Sequence, residues 1–157
     1  MTRIDFYILD EQDNQARLDF ACKLINKTIK LGHRIYVHCE SHQQALNLSE
    51  SLWKFEQHSF LAHNMAEQNP NKEIDTSPII ISHIDNQTDT NSKSPCQHHD
   101  LLINLSNKIP EFFASFDRLS EIVIQETRCL DSAREHYRFY QSRNFPLHRH
   151  DLRKKAA

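Results

Sequence analysis

The order strand, helix, strand, helix near the N-terminus constrains the fold of this chain more than any other feature. Ile4 to Leu9 is a short run with little polarity inside it, suited to a strand covered on both faces. Leu18, Ala21, Cys22, Ile25, Thr28 and Ile29 then recur at helical spacing, with Asp13 or Asn14 placed to cap the helix. Gly32 ends that helix as a left-handed C-terminal cap. Arg34 to His38 predicts a second strand, and Ser41 opens a helix that carries Ala45, Leu48 and Leu52 to Trp53. Short connections between such elements are the signature of a right-handed parallel crossover, so an α/β fold is expected.

Further along, Ser59-Phe60-Leu61 predicts another short strand, and Pro78 to Ile84 a β-rich run centred on Ile79-Ile80-Ile81. Asp85 to His99 is polar and has no apolar period, which predicts a mobile loop. Leu101 to Leu105 and Glu121 to Gln125 predict strands, and Pro110 to Phe116 a short helix or turn that packs aromatics inward. The expected architecture is three-layered, a mostly parallel, mixed sheet flanked by helices. Residues 1–147 form one domain in this reading, and residues 148–157 a basic C-terminal tail.

Totals exclude several functions. With 19 basic and 21 acidic residues, the chain carries no bulk attraction for nucleic acid or an anionic membrane. Its single glycine rules out both G-x-x-x-x-G-K-[ST] and G-x-G-x-x-G, and with them the two common phosphate-cradling loops. Cys22, Cys39, Cys96 and Cys129 show no C-x-x-C spacing, which points to free thiols in a reducing compartment. The N-terminus lacks the pattern of a signal peptide, and no apolar run approaches the ~20 residues of a membrane span. A soluble cytoplasmic protein is expected.

Candidate chemistry is sparse. Cys39 lies just past a predicted strand beside His38 and Glu40, but a phosphatase loop needs an arginine where Ala45 stands. Asp10 and Asp13 have the spacing D-x-x-D without a matching downstream set, and Cys96, His98 and His99 lack a partner pair at zinc-ligand spacing. His148, Arg149, His150, Arg153, Lys154 and Lys155 can touch phosphates, although short basic ends are usually only solvated. No metal, cofactor or catalytic set is therefore assigned. Trp53 and Phe60 suit either a core or a protein interface.

The stretch Leu130 to Gln141 stands apart. Leu130, Ala133, Tyr137 and Tyr140 form an apolar helical stripe, and Arg134, Tyr137, Arg138 and Gln141 a neighbouring one at i, i+3, i+4, i+7. Two guanidinium groups one turn apart, with a tyrosine between them, can grip a carboxylate and offer an aromatic wall to an apolar side chain. The plainer reading is a surface helix in which Asp131 pairs with Arg134 and Glu135 with Arg138.

The whole chain resembles the chi subunit family of bacterial DNA polymerase III holoenzyme. The likeness runs through Asp5-Phe-Tyr-Ile-Leu9, Gly32-His-Arg-Ile-Tyr-Val37, Gln44-Ala45, Leu52-Trp53, Ser59-Phe-Leu-Ala-His63, Asp100 to Leu105, Pro110-Glu-Phe-Phe113 and Phe116. It is densest at Ala133 to Tyr140 and Phe145-Pro-Leu147. The resemblance implies a nucleotide-fold-like domain without enzymatic activity. It also implies an adaptor in DNA replication: the psi subunit ties it to the clamp loader, and another surface holds the acidic, Phe-ending tail of single-stranded DNA-binding protein. DNA is then reached only through these partners. The matching tail-binding residues are Arg134, Tyr137 and Arg138, and the matching psi-facing residues are Trp53 and Phe60. Arg138 stands where the family commonly has lysine, and Asn144 where glycine is common; asparagine tolerates the left-handed conformation best among the alternatives. Two rivals remain: a hydrolase using Cys39, and a single-stranded nucleic-acid binder using the basic tail.

Overall fold

The structure, a computed structural model, describes residues 2–54, 64–65, 79–83 and 100–152. Among these residues, seven strands and three helices follow one another as β1 (Arg3–Ile8), α1 (Asn14–Lys30), β2 (Ile35–Cys39), α2 (His42–Lys54), β3 (Asn64–Met65), β4 (Ile79–His83), β5 (Leu101–Asn104), β6 (Arg118–Val123), α3 (Thr127–Ser142) and β7 (Leu147–Asp151). A single 3-10 turn, Phe113–Ser115, lies between β5 and β6. The sheet order is β3-β4-β2-β5-β6-β1-β7. Every described pairing is parallel, so the antiparallel component implied by a mixed sheet is absent among the described strands.

Right-handed crossovers sort the helices by direction of travel. The chain moves one way across the sheet through α1 and α2 and the other way through α3, which puts them on opposite faces. Side chains of β1 record this: Tyr7 meets Phe20 of α1 at 5.2 Å, whereas Phe6 meets Tyr137 and Tyr140 of α3 at 5.4 and 6.0 Å. The 3-10 turn shares the α3 face, since Phe113 packs on Phe139 and Tyr140. β2 is buried along its whole length, as a strand covered on both faces must be. The core runs through Ile4, Ile25, Ile35, Val37, Leu48, Ile79, Ile81, Leu102, Ile103 and Leu119, all fully buried.

Helix ends explain the connections. At α1, Gly32 adopts φ 83° while its N–H reaches the Ile29 carbonyl and that of His33 reaches the Thr28 carbonyl, the paired closure of a left-handed cap. Asp13 occupies the N-cap position of α1 in extended conformation, but its side chain makes no capping bond. Ser41 does cap α2, its Oγ accepting from the Gln44 N–H at 3.2 Å.

One expectation is corrected. Residues read as the start of a basic tail form β7, which pairs with β1 from Ile4↔Leu147 to Ile8↔Asp151. An edge strand is covered on few sides and needs no apolar run. Here His150 supplies the anchorage, stacking on Tyr7 at 4.6 Å and meeting the buried Asp5 Oδ1 at 3.0 Å. β6 also begins earlier than its apolar run, at Arg118, whose guanidinium reaches Asp5 Oδ2 at 3.3 Å. The predicted strand Ser59–Leu61 and the loop Asp85–His99 lie outside the described residues.

Candidate functional site

α3 starts because Glu126 caps it: one carboxylate oxygen accepts from the Arg128 N–H and the other from the Cys129 N–H, each at 3.1 Å. It stops in the same manner as α1. Asn144 takes φ 61°, its N–H donates to the Gln141 carbonyl, and the Phe145 N–H donates to the Tyr140 carbonyl. The Phe145 ring then packs 6.3 Å from Tyr140, the apolar contact that accompanies this cap. The resulting turn aims the chain directly into β7.

The apolar stripe of the sequence packs on the core along its length, but the most buried line of α3 is rotated from it and shares only Tyr140 with it. Cys129, His136 and Tyr140 are buried, while Leu130, Ala133 and Tyr137 are half-buried. Beneath the helix, Glu121 Oε2 receives three donors: His136 Nδ1 at 2.9 Å, Tyr140 Oη at 2.8 Å and Asn104 Nδ2 at 3.2 Å. His136 Nε2 lies 3.0 Å from the Asn107 carbonyl, so both ring nitrogens face acceptors and the imidazolium is the species that satisfies both. Burial alone lowers the His136 pKa, but the hydrogen bond and charge of Glu121, helped by Asn107 and Glu135, outweigh it and hold the pKa above its ordinary value. Burial and the Glu121 charge push Tyr140 up, so it stays a neutral donor. This network fixes the rotation of α3 about its axis and turns the next stripe outward.

That stripe walls a groove of about 330 Å³ between α3, the C-terminal ends of β1 and β6, and β7. Its floor is apolar, made by Phe6, Ile8, Val123, Leu130 and Ala133. Gln125 closes one end, held by its Nε2 donating to the Leu9 carbonyl at 2.9 Å. Tyr137 stands edge-on to Phe6 and forms the aromatic wall. Arg134, Arg138 and Arg149 line the groove, and among the described residues no acidic side chain does. The structure thus brings together all three residues singled out on the helix. The plainer reading holds in part: Arg134 Nη1 lies 3.6 Å from Asp131 Oδ1, a pair of exposed groups worth little in water, while Arg138 makes no ion pair among the described residues.

Arg149 is the residue missed by sequence reasoning, where it was only one cation of a solvated tail. It pairs in register with Phe6, on the α3 face of β7, and that parity brings its side chain to the groove. The alternation of a strand was the available signal, hidden by the polarity of Leu147-His-Arg-His-Asp151.

The remaining candidates are not drawn into this groove. Cys39 is fully buried, and burial pushes its thiol up to about 12, the opposite of an activated nucleophile. Asp10 and Asp13 are exposed, and among the described residues no group of three His, Cys, Asp or Glu side chains is placed to hold a metal ion. Trp53 lies in the last turn of α2; Phe60, Cys96, His98, His99 and residues 153–157 lie outside the described residues. Among the described residues, no helix is long and apolar enough to cross a membrane.

The fold is thus a parallel, doubly wound α/β sheet lacking a phosphate loop, with an arginine-lined apolar groove beside one edge strand. The family model described as DNA polymerase III chi subunit, HolC, matches residues 1–148. DNA polymerase III subunit chi of Pseudomonas aeruginosa is 34% identical over 152 residues, covering 97% of this chain and 98% of that protein. The Haemophilus influenzae subunit chi is 34% identical over 136 residues (85% of each chain), and the Escherichia coli one 27% identical over 151 residues (94% and 96%). The chain belongs to the DNA polymerase III chi subunit family.

Proposed function

We propose that this subunit is a cytoplasmic adaptor that captures the acidic, Phe-ending C-terminal tail of single-stranded DNA-binding protein in the α3 groove. The observation that carries the reading is the convergence of Arg134, Tyr137 and Arg138 on one apolar cleft with no carboxylate among its described lining residues. A terminal carboxylate meets the guanidinium pair, the last aromatic ring rests against Tyr137 over the Phe6 and Leu130 floor, and upstream acidic residues extend toward Arg149. The arginines are exposed, so affinity is modest and falls with salt. The second half of the role is a link through the psi subunit to the clamp loader, with Trp53 and Phe60 on the psi-facing surface; it rests on family resemblance.

The test is fluorescence anisotropy with a labelled acidic peptide ending in Pro-Phe with a free carboxylate. Wild type is compared with Arg138→Ala, and the peptide with one lacking its final Phe, at low and moderate salt. Loss of one charged contact is expected to weaken binding by about 5–10-fold. Binding that is absent, or indifferent to both Arg138 and the terminal Phe, sinks the assignment. For the psi link, co-purification with psi that survives Trp53→Ala undiminished counts against that surface.

A further inference from the structure

A second concavity, of about 360 Å³, lies at the carboxyl ends of β2, β5 and β6 and shares no residue with the α3 groove. Its position follows from topology. β2 and β5 are neighbours, yet β2 runs on into α2 on one face and β5 toward the 3-10 turn on the other. β1 and β6, also neighbours, part in the same way into α1 and α3. Where neighbouring strands leave a parallel sheet toward opposite faces, a crevice opens at their carboxyl ends. The first turns of all three helices border this one.

At its base is Arg17, only 7% exposed. Its Nε donates to the Ile122 carbonyl at 2.9 Å, which holds the side chain in place. Among the described residues, no carboxylate lies within ion-pair distance of this guanidinium, and its two Nη groups donate to none of them. Held on its Nε side, the guanidinium leaves its Nη groups open to the crevice, where an entering anion can pair with them. Two carboxylates stand at the rim and are held by backbone amides: Glu40 Oε2 accepts from the Asn107 N–H at 2.6 Å, and both Glu126 oxygens cap α3. The first-turn N–H groups of α1 stay available, because the Asp13 side chain does not cap them.

We propose that this crevice binds a compact oxyanion, phosphate or carboxylate, held by the Arg17 guanidinium and the N-terminal amides of α1, with Arg128 at the rim. Recognition is of charge and of two or three oxygen acceptors, since Arg17 presents a planar fork and the helix presents divergent N–H groups.

Amide chemical-shift mapping of the full chain tests this, titrating inorganic phosphate and, separately, acetate against chloride at constant ionic strength. Saturable shifts are expected at Asn14, Arg17, Leu18 and Arg128; saturation by phosphate alone identifies a phosphoryl group as the ligand, and by acetate alone a carboxylate. Arg17→Met is expected to weaken binding by roughly tenfold or more, and Arg128→Ala by roughly threefold. Should Arg17→Met fail to fold, Arg128→Ala carries the comparison. Shifts that never saturate, shifts confined to Arg134, Arg138 and Arg149, or an unchanged affinity in a folded Arg17→Met protein overturn the site.

Discussion

The carboxylate of Glu121 is the point at which β5, β6 and α3 are tied together, and Glu121→Gln tests that directly. Glu121 is 4% exposed, and its Oε2 collects His136, Tyr140 and Asn104 within 3.2 Å. The substitution keeps size and one carbonyl oxygen but removes the charge opposite the imidazolium. Breaking a buried ion pair at one partner costs about 3–5 kcal/mol; the retained amide oxygen places this case near the lower end, about 3 kcal/mol. That is a large share of the roughly 5–15 kcal/mol that holds a domain folded. The pH dependence carries a sign. The folded His136 pKa is raised, so the pair stabilises fully below the unfolded histidine pKa and its contribution is lost as pH rises through the folded value. Urea unfolding at about pH 6 should therefore show a larger penalty for Glu121→Gln than at about pH 9, where neutral His136 needs no counter-charge. A penalty below about 1 kcal/mol, or one equal at both pH values, would show that the network does not hold α3 as an ion pair.

Three further outcomes follow from the geometry. Asn144→Ala, at φ 61°, should lower stability by about 1–2 kcal/mol in chemical denaturation while Asn144→Gly leaves it level or higher, because only a Cβ without a local polar rescue is penalised there. Native Cys39 should resist alkylation at about pH 8, since its thiol is pushed up to about 12, and Cys39→Ala should leave peptide binding intact; rapid labelling of the folded protein would refute the buried placement. His150→Ala removes both the Tyr7 stack and the Asp5 contact, so amide exchange at Leu152, whose N–H donates to the Ile8 carbonyl, should rise well before exchange in β2 does.

The parts of the fold that sequence reveals are those set by local chemistry. Gly32 and Asn144 are legible because a left-handed residue after a helix has few occupants, and both sit in that conformation. Arg134, Tyr137 and Arg138 are legible because helical spacing alone puts them side by side. What stays hidden depends on partners distant in the chain. His136 draws no reading from the sequence, yet it is buried because Glu121 and Asn107 wait beneath it. β7 has one apolar residue in five, and its strand character comes from β1 and from the His150 contacts, none of which its own residues announce. Arg149 is lost with it, since the face of a strand cannot be assigned until the strand is recognised.

The placement of β1 between β6 and β7 has a consequence for synthesis on the ribosome. The first strand made gains its nearest hydrogen-bonded partner, β6, only 115 residues later, because Ile8 pairs with Val123, and its other flank later still. At translation rates of about 5–20 residues per second, that is a wait on the order of 5–20 s during which β1 has no sheet to join. Closure of the fold is therefore a long-range, late event rather than a vectorial one. The α3 groove, built from β1, β6, α3 and β7, comes into being at that same moment. A chain that ends before β7 lacks part of the groove, so under the proposed role capture of a ligand there reports that the subunit has been finished as well as folded.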